Sequence, residues 1–177
     1  MKLVILDRDG TINHDSEDYI KSPAEWTAIP GSLEAIARLH QADYRVVVAT
    51  NQSGIGRGLF DTQALFAIHD KLQRALGQVG GRIDAFFFCP HKADDKCRCR
   101  KPQPGMLLEV ARRFNVAIED AFMVGDSRKD VEAAAAAGAR AVLVRTGNGA
   151  KTEKEGNLPR GTAVYPDLAA FARHLAP

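Results

Sequence analysis

Two carboxylates, Asp7 and Asp9, stand two positions apart where an apolar run, Leu3-Val4-Ile5-Leu6, gives way to Asp7-Arg8-Asp9-Gly10-Thr11. A short apolar run ending in paired acids reads as a buried strand with both carboxylates at its carboxyl end, where open α/β sheets bind ligands. Two chemistries suit the pair. One is ligation of a hard divalent cation by oxygen; the other is a carboxylate nucleophile beside a proton donor. Solvated acids leaving an ordinary strand are the plainer alternative. Two more strand exits share this character. Thr50-Asn51-Gln52-Ser53-Gly54 offers a hydroxyl, amides and backbone donors that can cradle a phosphate, or simply a capped turn. Gly125-Asp126-Ser127-Arg128-Lys129-Asp130 brings a third carboxylate, either a helix cap or a partner of Asp7 and Asp9 in a Mg²⁺ site.

All three cysteines fall within Cys89-Pro90-His91 and Cys97-Arg98-Cys99. Random placement would put three cysteines in so narrow a window on the order of 1% of the time, and His91 completes four ligands. Cys3His is the composition of a closed, structural Zn²⁺ site rather than a catalytic one. Buried or redox-active thiols are the other reading. Arg100-Lys101-Pro102 follows directly, so a metal-clamped loop would hold two cations rigidly, as phosphate recognition requires. His40, His69 and His174 lie in helical stretches and read as ordinary surface or packing residues.

These residues need a frame. Apolar runs at Leu3–Leu6, Val46–Ala49, Ala85–Phe88, Ala121–Val124 and Ala141–Val144 alternate with stretches of helical spacing such as Leu65, Ile68, Leu72 and Leu76. Strand alternating with helix predicts an α/β fold, a doubly wound parallel sheet covered on both faces. Pro30-Gly31-Ser32, Asp61-Thr62 and Pro104-Gly105 mark helix starts, and Gly138 marks a stop. Three stretches break the rhythm: residues 12–30, expected as a flap or loop over the sheet edge, the basic loop 89–104, and the Gly, Lys and Glu-rich stretch 147–161, expected to be mobile.

At 177 residues the chain has the size of one domain, 1–177, with the zinc loop 89–101 inside it. Lys and Arg number 24 against 22 Asp and Glu, so no global field exists to hold nucleic acid or an anionic membrane. The four-residue apolar run before Asp7 is too short for a signal peptide or a membrane span. A soluble cytoplasmic monomer acting on a small molecule is the expectation.

Taken together, Asp7-Arg8-Asp9-Gly10-Thr11, Thr50 to Gly54, Lys101 and Gly125-Asp126 resemble the four ordered motifs of the haloacid dehalogenase (HAD) superfamily of phosphatases, over nearly the whole chain. The zinc loop and Arg100-Lys101-Pro102 narrow the resemblance to the branch holding D,D-heptose 1,7-bisphosphate phosphatases and histidinol-phosphate phosphatases. Thr50 to Ile55, Arg57-Gly58 and Val144-Arg145-Thr146-Gly147 are similar to the heptose group. The resemblance implies a HAD-like fold with a short flap and no large cap. It also implies Mg²⁺-dependent release of the C7 phosphate of D-glycero-D-manno-heptose 1,7-bisphosphate through an aspartyl-phosphate, in making nucleotide-activated heptose for the lipopolysaccharide core or a related glycan. Histidinol phosphate is the alternative substrate, and a zinc-stabilised binding module the alternative of another class.

Carried over by position, Asp7 is the implied nucleophile and Asp9 the proton donor and acceptor. Thr50 and Lys101 would bind the transferring phosphoryl. Asp7, Asp126 and the carbonyl of Asp9 would hold Mg²⁺, and Cys89, His91, Cys97 and Cys99 would hold Zn²⁺. Asp15, Ser16, Glu17, Asp18, Asn51, Gln52, Ser53 and Arg100 would contact the substrate. Asp130 and Ser127 would support from behind; Ser127 stands where some relatives carry Lys.

Overall fold

The computed structural model describes residues 1–177. Six parallel strands, β1 (Lys2–Leu6), β2 (Tyr44–Asn51), β3 (Ala85–Cys89), β4 (Phe122–Gly125), β5 (Arg140–Val144) and β6 (Ala163–Tyr165), form one sheet in the order β3-β2-β1-β4-β5-β6. The chain winds outward from β1 in one direction and from β4 in the other, so the order reverses between these two neighbours. A crevice opens above such a point, beyond the carboxyl ends of the strands.

Alternation along the central strands sorts the core into two layers. Val4, Leu6, Val46, Val48, Val124 and Val142 face one way, onto α1 (Ser32–Gln41), α3 (Thr62–Gln78) and α7 (Leu168–Leu175). Leu3, Ile5, Val47, Ala49, Met123 and Leu143 face the other, onto α4 (Gly105–Phe114) and α5 (Arg128–Ala137). Helix starts follow the expected signals. Asp61 caps α3 by accepting from the Ala64 N–H at 2.8 Å, and α1 begins after Gly31. Gly138, at φ +85°, ends α5 in the left-handed conformation.

Three expectations need correction. Residues 12–30 are not merely a flap: Ile12, Ile20 and Trp26 are buried in the first core layer. Lys71 on α3 also donates to the carbonyls of Pro23 and Trp26, at 2.7 and 2.9 Å. The stretch 147–161 holds a helix, α6 (Gly149–Glu155), anchored where Arg145 pairs with Glu153 at 2.6 Å and Arg128 donates to the Gly156 carbonyl at 2.7 Å. A sixth strand, β6, was not expected. Its three residues lie half-exposed at the sheet edge and carry too short an apolar pattern to announce themselves. No helix is long and apolar enough to cross a membrane.

Candidate active site and metal centres

Three strand ends supply the chemistry. Asp7 follows β1, and its N–H donates to the Val124 carbonyl of β4 at 2.8 Å, which ties the first acid to the neighbouring strand. Asp126 follows β4 and is buried. The chain can bring Asp126 so close to β1 only because Gly10 and Gly147, both at positive φ, lack a Cβ that would collide with its carboxylate. Oxygens of Asp7, Asp126 and Asp130 lie within 4.8 Å of one another.

A single lysine answers these acids. Lys101, almost wholly buried, places Nζ 2.9 Å from Asp7 Oδ1 and 2.6 Å from Asp130 Oδ1. Asp130 is otherwise engaged at the start of α5, where its Oδ2 accepts from the Ser127 N–H at 3.0 Å and the Ser127 hydroxyl at 2.7 Å. One cation among three carboxylates leaves charge uncompensated. Burial, and next Asp130, push Asp7 up to about 7 although Lys101 opposes them. Burial, and next Asp7, push Asp126 up to about 8. Burial alone would lower Lys101, but Asp130 and Asp7 outweigh it and hold its ammonium above the ordinary lysine range. A divalent cation bound by hard oxygens would relieve the repulsion, so the donor set fits Mg²⁺.

Asp9 sits in different surroundings. Arg8, fully buried, donates Nε to Asp9 Oδ1 at 2.9 Å and Nη2 to Oδ2 at 3.2 Å. Asn13 adds a bond at 2.9 Å and Gln52 another at 3.1 Å. Burial works to raise Asp9, but Arg8 above all, then Asn13 and Gln52, bring it below its ordinary value. Asp7 and Asp9 are thus pushed apart, which suits different duties.

The second strand runs two residues further than its apolar run, so Thr50 and Asn51 are strand residues rather than turn residues. Thr50 is buried, its hydroxyl accepting from Gln52 Nε2 at 2.9 Å. Asn51 turns both ends of its amide to Lys101: Oδ1 accepts from the Lys101 N–H and Nδ2 donates to its carbonyl, each at 3.0 Å. That reciprocal pair fastens the lysine-bearing loop to β2. Two backbone bonds, Gln52 N–H to the Cys89 carbonyl at 2.8 Å and Gly56 N–H to the Pro90 carbonyl at 3.0 Å, fasten the same loop again.

The loop closes on itself through its sulfurs. Cys89 Sγ lies 3.2 Å from Cys99 Sγ and 3.6 Å from Cys97 Sγ, while His91 Nδ1 lies 3.4 Å from Cys89 and 3.3 Å from Cys99. A Zn²⁺ tetrahedron with bonds of about 2.3 Å to sulfur has edges of roughly 3.7 Å, so four soft donors at these spacings fit that ion with little adjustment. Arg100 is held from both ends, its N–H donating to Cys97 Sγ and its Nη1 to the His91 carbonyl, each at 3.4 Å.

These groups surround one cavity of about 310 Å³, with only two hydrophobic residues among the eighteen that line it. Asp7, Asp9, Asp15, Ser16, Thr50, Asn51, Gln52, Ser53, Arg100, Lys101, Asp126, Ser127 and Asp130 all reach it. Glu17 and Asp18 do not; Glu17 lines a shallow neighbouring depression with His14. Such polarity suits a small, highly charged and hydroxylated ligand.

A HAD-hydrolase-like family model matches residues 98–171. A D-glycero-beta-D-manno-heptose-1,7-bisphosphate 7-phosphatase of Bordetella bronchiseptica is 61% identical over 99% of this chain and 98% of its own. One of Pseudomonas putida is 50% identical over 99% of both chains. The crystal structure of D,D-heptose 1,7-bisphosphate phosphatase from B. bronchiseptica, complexed with magnesium and phosphate, superposes with a TM-score of 0.97 at 60% identity, covering 99% of this chain and 98% of that one. The chain belongs to the heptose 1,7-bisphosphate 7-phosphatase family.

Within this heptose phosphatase frame, several residues near the site carry no motif that marks them in the sequence. Asn148 donates its N–H to Asp126 Oδ2 at 2.7 Å and its side-chain amide to the same oxygen at 3.3 Å. The exit of the fifth strand, Arg145-Thr146-Gly147, was the available signal, since the exits of β1, β2 and β4 all feed the cavity. Lys129 lines the cavity from the first turn of α5 and Arg57 from the end of α2 (Ser53–Gly56), both exposed and neither in an ion pair. His69, read as an ordinary packing residue, is buried and lies 3.3 Å from Arg8 Nη1.

Proposed function

We propose that residues 1–177 act as one phosphatase domain that removes the C7 phosphate of D-glycero-D-manno-heptose 1,7-bisphosphate. The observation that carries this reading is Asp7 at a polar cavity floor with Lys101 Nζ at 2.9 Å and Asp126 beside it, in a chain 61% identical to a relative of that activity. A cytoplasmic place in the formation of nucleotide-activated heptose follows from that substrate.

Asp7 attacks phosphorus, and the bond to the sugar oxygen breaks as an aspartyl-phosphate forms. Lys101 and Thr50 face the phosphoryl oxygens and oppose the charge that builds on them. Asp9 gives the departing sugar oxygen its proton and then takes one from the water that hydrolyses the acyl phosphate. Its pairing with Arg8 favours the base form, and the arriving phosphate dianion raises its proton affinity for the acid step. Asp7, Asp126 and the Asp9 carbonyl would hold Mg²⁺, which supplies charge neutralisation for phosphate when bound. Cys89, His91, Cys97 and Cys99 would hold Zn²⁺, whose part is to fold the loop that presents Arg100 and Lys101. Arg100 faces the distal part of the substrate, with Asp15 and Ser16 across the cavity mouth.

Phosphate release from the bisphosphate, with Mg²⁺ and then with EDTA, tests the reading. Turnover that needs added Mg²⁺ and leaves the 1-phosphate is expected; undiminished turnover in EDTA would overturn it.

A further inference from the structure

Arg8 and His69 are buried together behind Asp9, and only Arg8 has a part in the mechanism above. Arg8 grips the Asp9 carboxylate with two nitrogens and turns its third, Nη1, to His69 Nε2 at 3.3 Å. A guanidinium has only N–H groups to offer, so Nε2 accepts and the imidazole keeps its proton on Nδ1. Burial, and next the charge of Arg8, hold His69 down to about 3, so the ring is neutral near pH 7. His69 comes from α3, 61 residues away in sequence, and stacks on Phe86 of β3 with ring centroids 4.2 Å apart and planes 13° apart. The stack fixes the ring; the ring fixes the guanidinium.

We propose that His69 is a positioning residue for proton transfer, holding Arg8 so that the Asp9 carboxylate faces the leaving oxygen of the substrate. A histidine serving only to pack would need the stack alone, whereas here its single acceptor is aimed at a buried cation. This inference rests on the assignment of Asp9 as proton donor. Without the His69 acceptor, Arg8 Nη1 is left buried and unpartnered, and the fork it extends to Asp9 is free to tilt. Asn13 and Gln52 still hold Asp9, so the carboxylate is loosened rather than released. Misplacement of a catalytic group by a fraction of an ångström costs about tenfold, less than the ~10²–10⁴-fold of losing the acid itself.

The leaving group distinguishes a proton-transfer defect from a structural one. A sugar alkoxide must be protonated as it departs, whereas p-nitrophenolate leaves without help. His69→Phe keeps the stack and removes the acceptor; His69→Gln supplies an acceptor again. Values of kcat/KM, which report the steps through aspartyl-phosphate formation, are measured for both and for Asp9→Asn on the sugar bisphosphate and on p-nitrophenyl phosphate. His69→Phe is expected to lose about tenfold on the bisphosphate and less than about twofold on the nitrophenyl ester, with most of the loss recovered in His69→Gln. Equal losses on both esters, or none on either, would overturn the proposal. If Asp9→Asn shows the leaving-group dependence and His69→Phe does not, the His69 role alone fails. If Asp9→Asn shows none, the assignment of Asp9 fails and takes the His69 role with it. Should His69→Phe not fold, His69→Leu, which also lacks the acceptor, is compared with His69→Gln by the same criteria.

Discussion

Asp7 and Asp9 are both aspartates on one turn of chain, and their neighbours alone set them apart. Lys101 and the carboxylates crowd Asp7, whereas Arg8, Asn13 and Gln52 surround Asp9. Asp7→Asn is expected to abolish turnover with the fold intact, because an amide of the same shape is no nucleophile; steady-state kinetics with circular dichroism checks it. His69 carries a stability consequence of its own. The charged groups facing it are Arg8 and, beyond it, Asp9, and its pKa falls from 6.5 to about 3 on folding. Below the upper value the unfolded chain takes up a proton that the folded one refuses, so stability is lost as pH falls from 6.5 toward 3. At about pH 5 the loss approaches ~2 kcal/mol, and urea titrations of His69→Phe should show a shallower acid limb than the parent chain. The paired acids and the cysteine cluster were legible in the sequence because their types and spacing are local. His69 and Asn148 were not, since each acquires meaning only from a partner that the sheet order brings to it.

At the scale of elements, the strand-helix rhythm was readable because five strands are apolar runs with polar exits, and α1, α3 and α4 begin at the marked signals. What the rhythm could not show is how the exits are sewn together. Asn51 was expected to touch substrate, yet both ends of its amide fasten the Lys101 backbone. Asn51→Ala should therefore lower kcat about tenfold by loosening Lys101, with a smaller change in KM. A rise in KM alone would return Asn51 to substrate binding. The cysteine-bearing loop 89–101 acts on the same lysine from its other side. Cys97→Ser should lower the melting temperature, release tightly held zinc and depress activity, because Arg100 and Lys101 lose their rigid support. Differential scanning calorimetry with metal analysis checks this; full activity without zinc would separate the loop from the chemistry.

The molecule as a whole is a covered parallel sheet whose strand order reverses at β1 and β4, with one polar cavity above that point. Little protein lies over the cavity, so discrimination falls to what lines its mouth. Arg57 comes from the end of α2, Arg100 from the cysteine-bearing loop, Lys129 from α5, and Asp15 from residues 12–30. Arg100→Ala should then cut kcat/KM on the bisphosphate far more than on a small phosphate ester, whereas equal losses would assign Arg100 to the reacting phosphoryl. The architecture was legible in the alternation of elements, but this gathering of charged side chains at the cavity was not, because it joins loops distant in sequence. Comparison of kcat/KM on D-glycero-D-manno-heptose 1,7-bisphosphate and on histidinol phosphate with Mg²⁺ present, the products being identified by phosphorus NMR, decides the substrate. A strong preference for the bisphosphate with loss of the C7 phosphate alone is expected; preference for histidinol phosphate, or release of the C1 phosphate, would rule out a heptose 7-phosphatase.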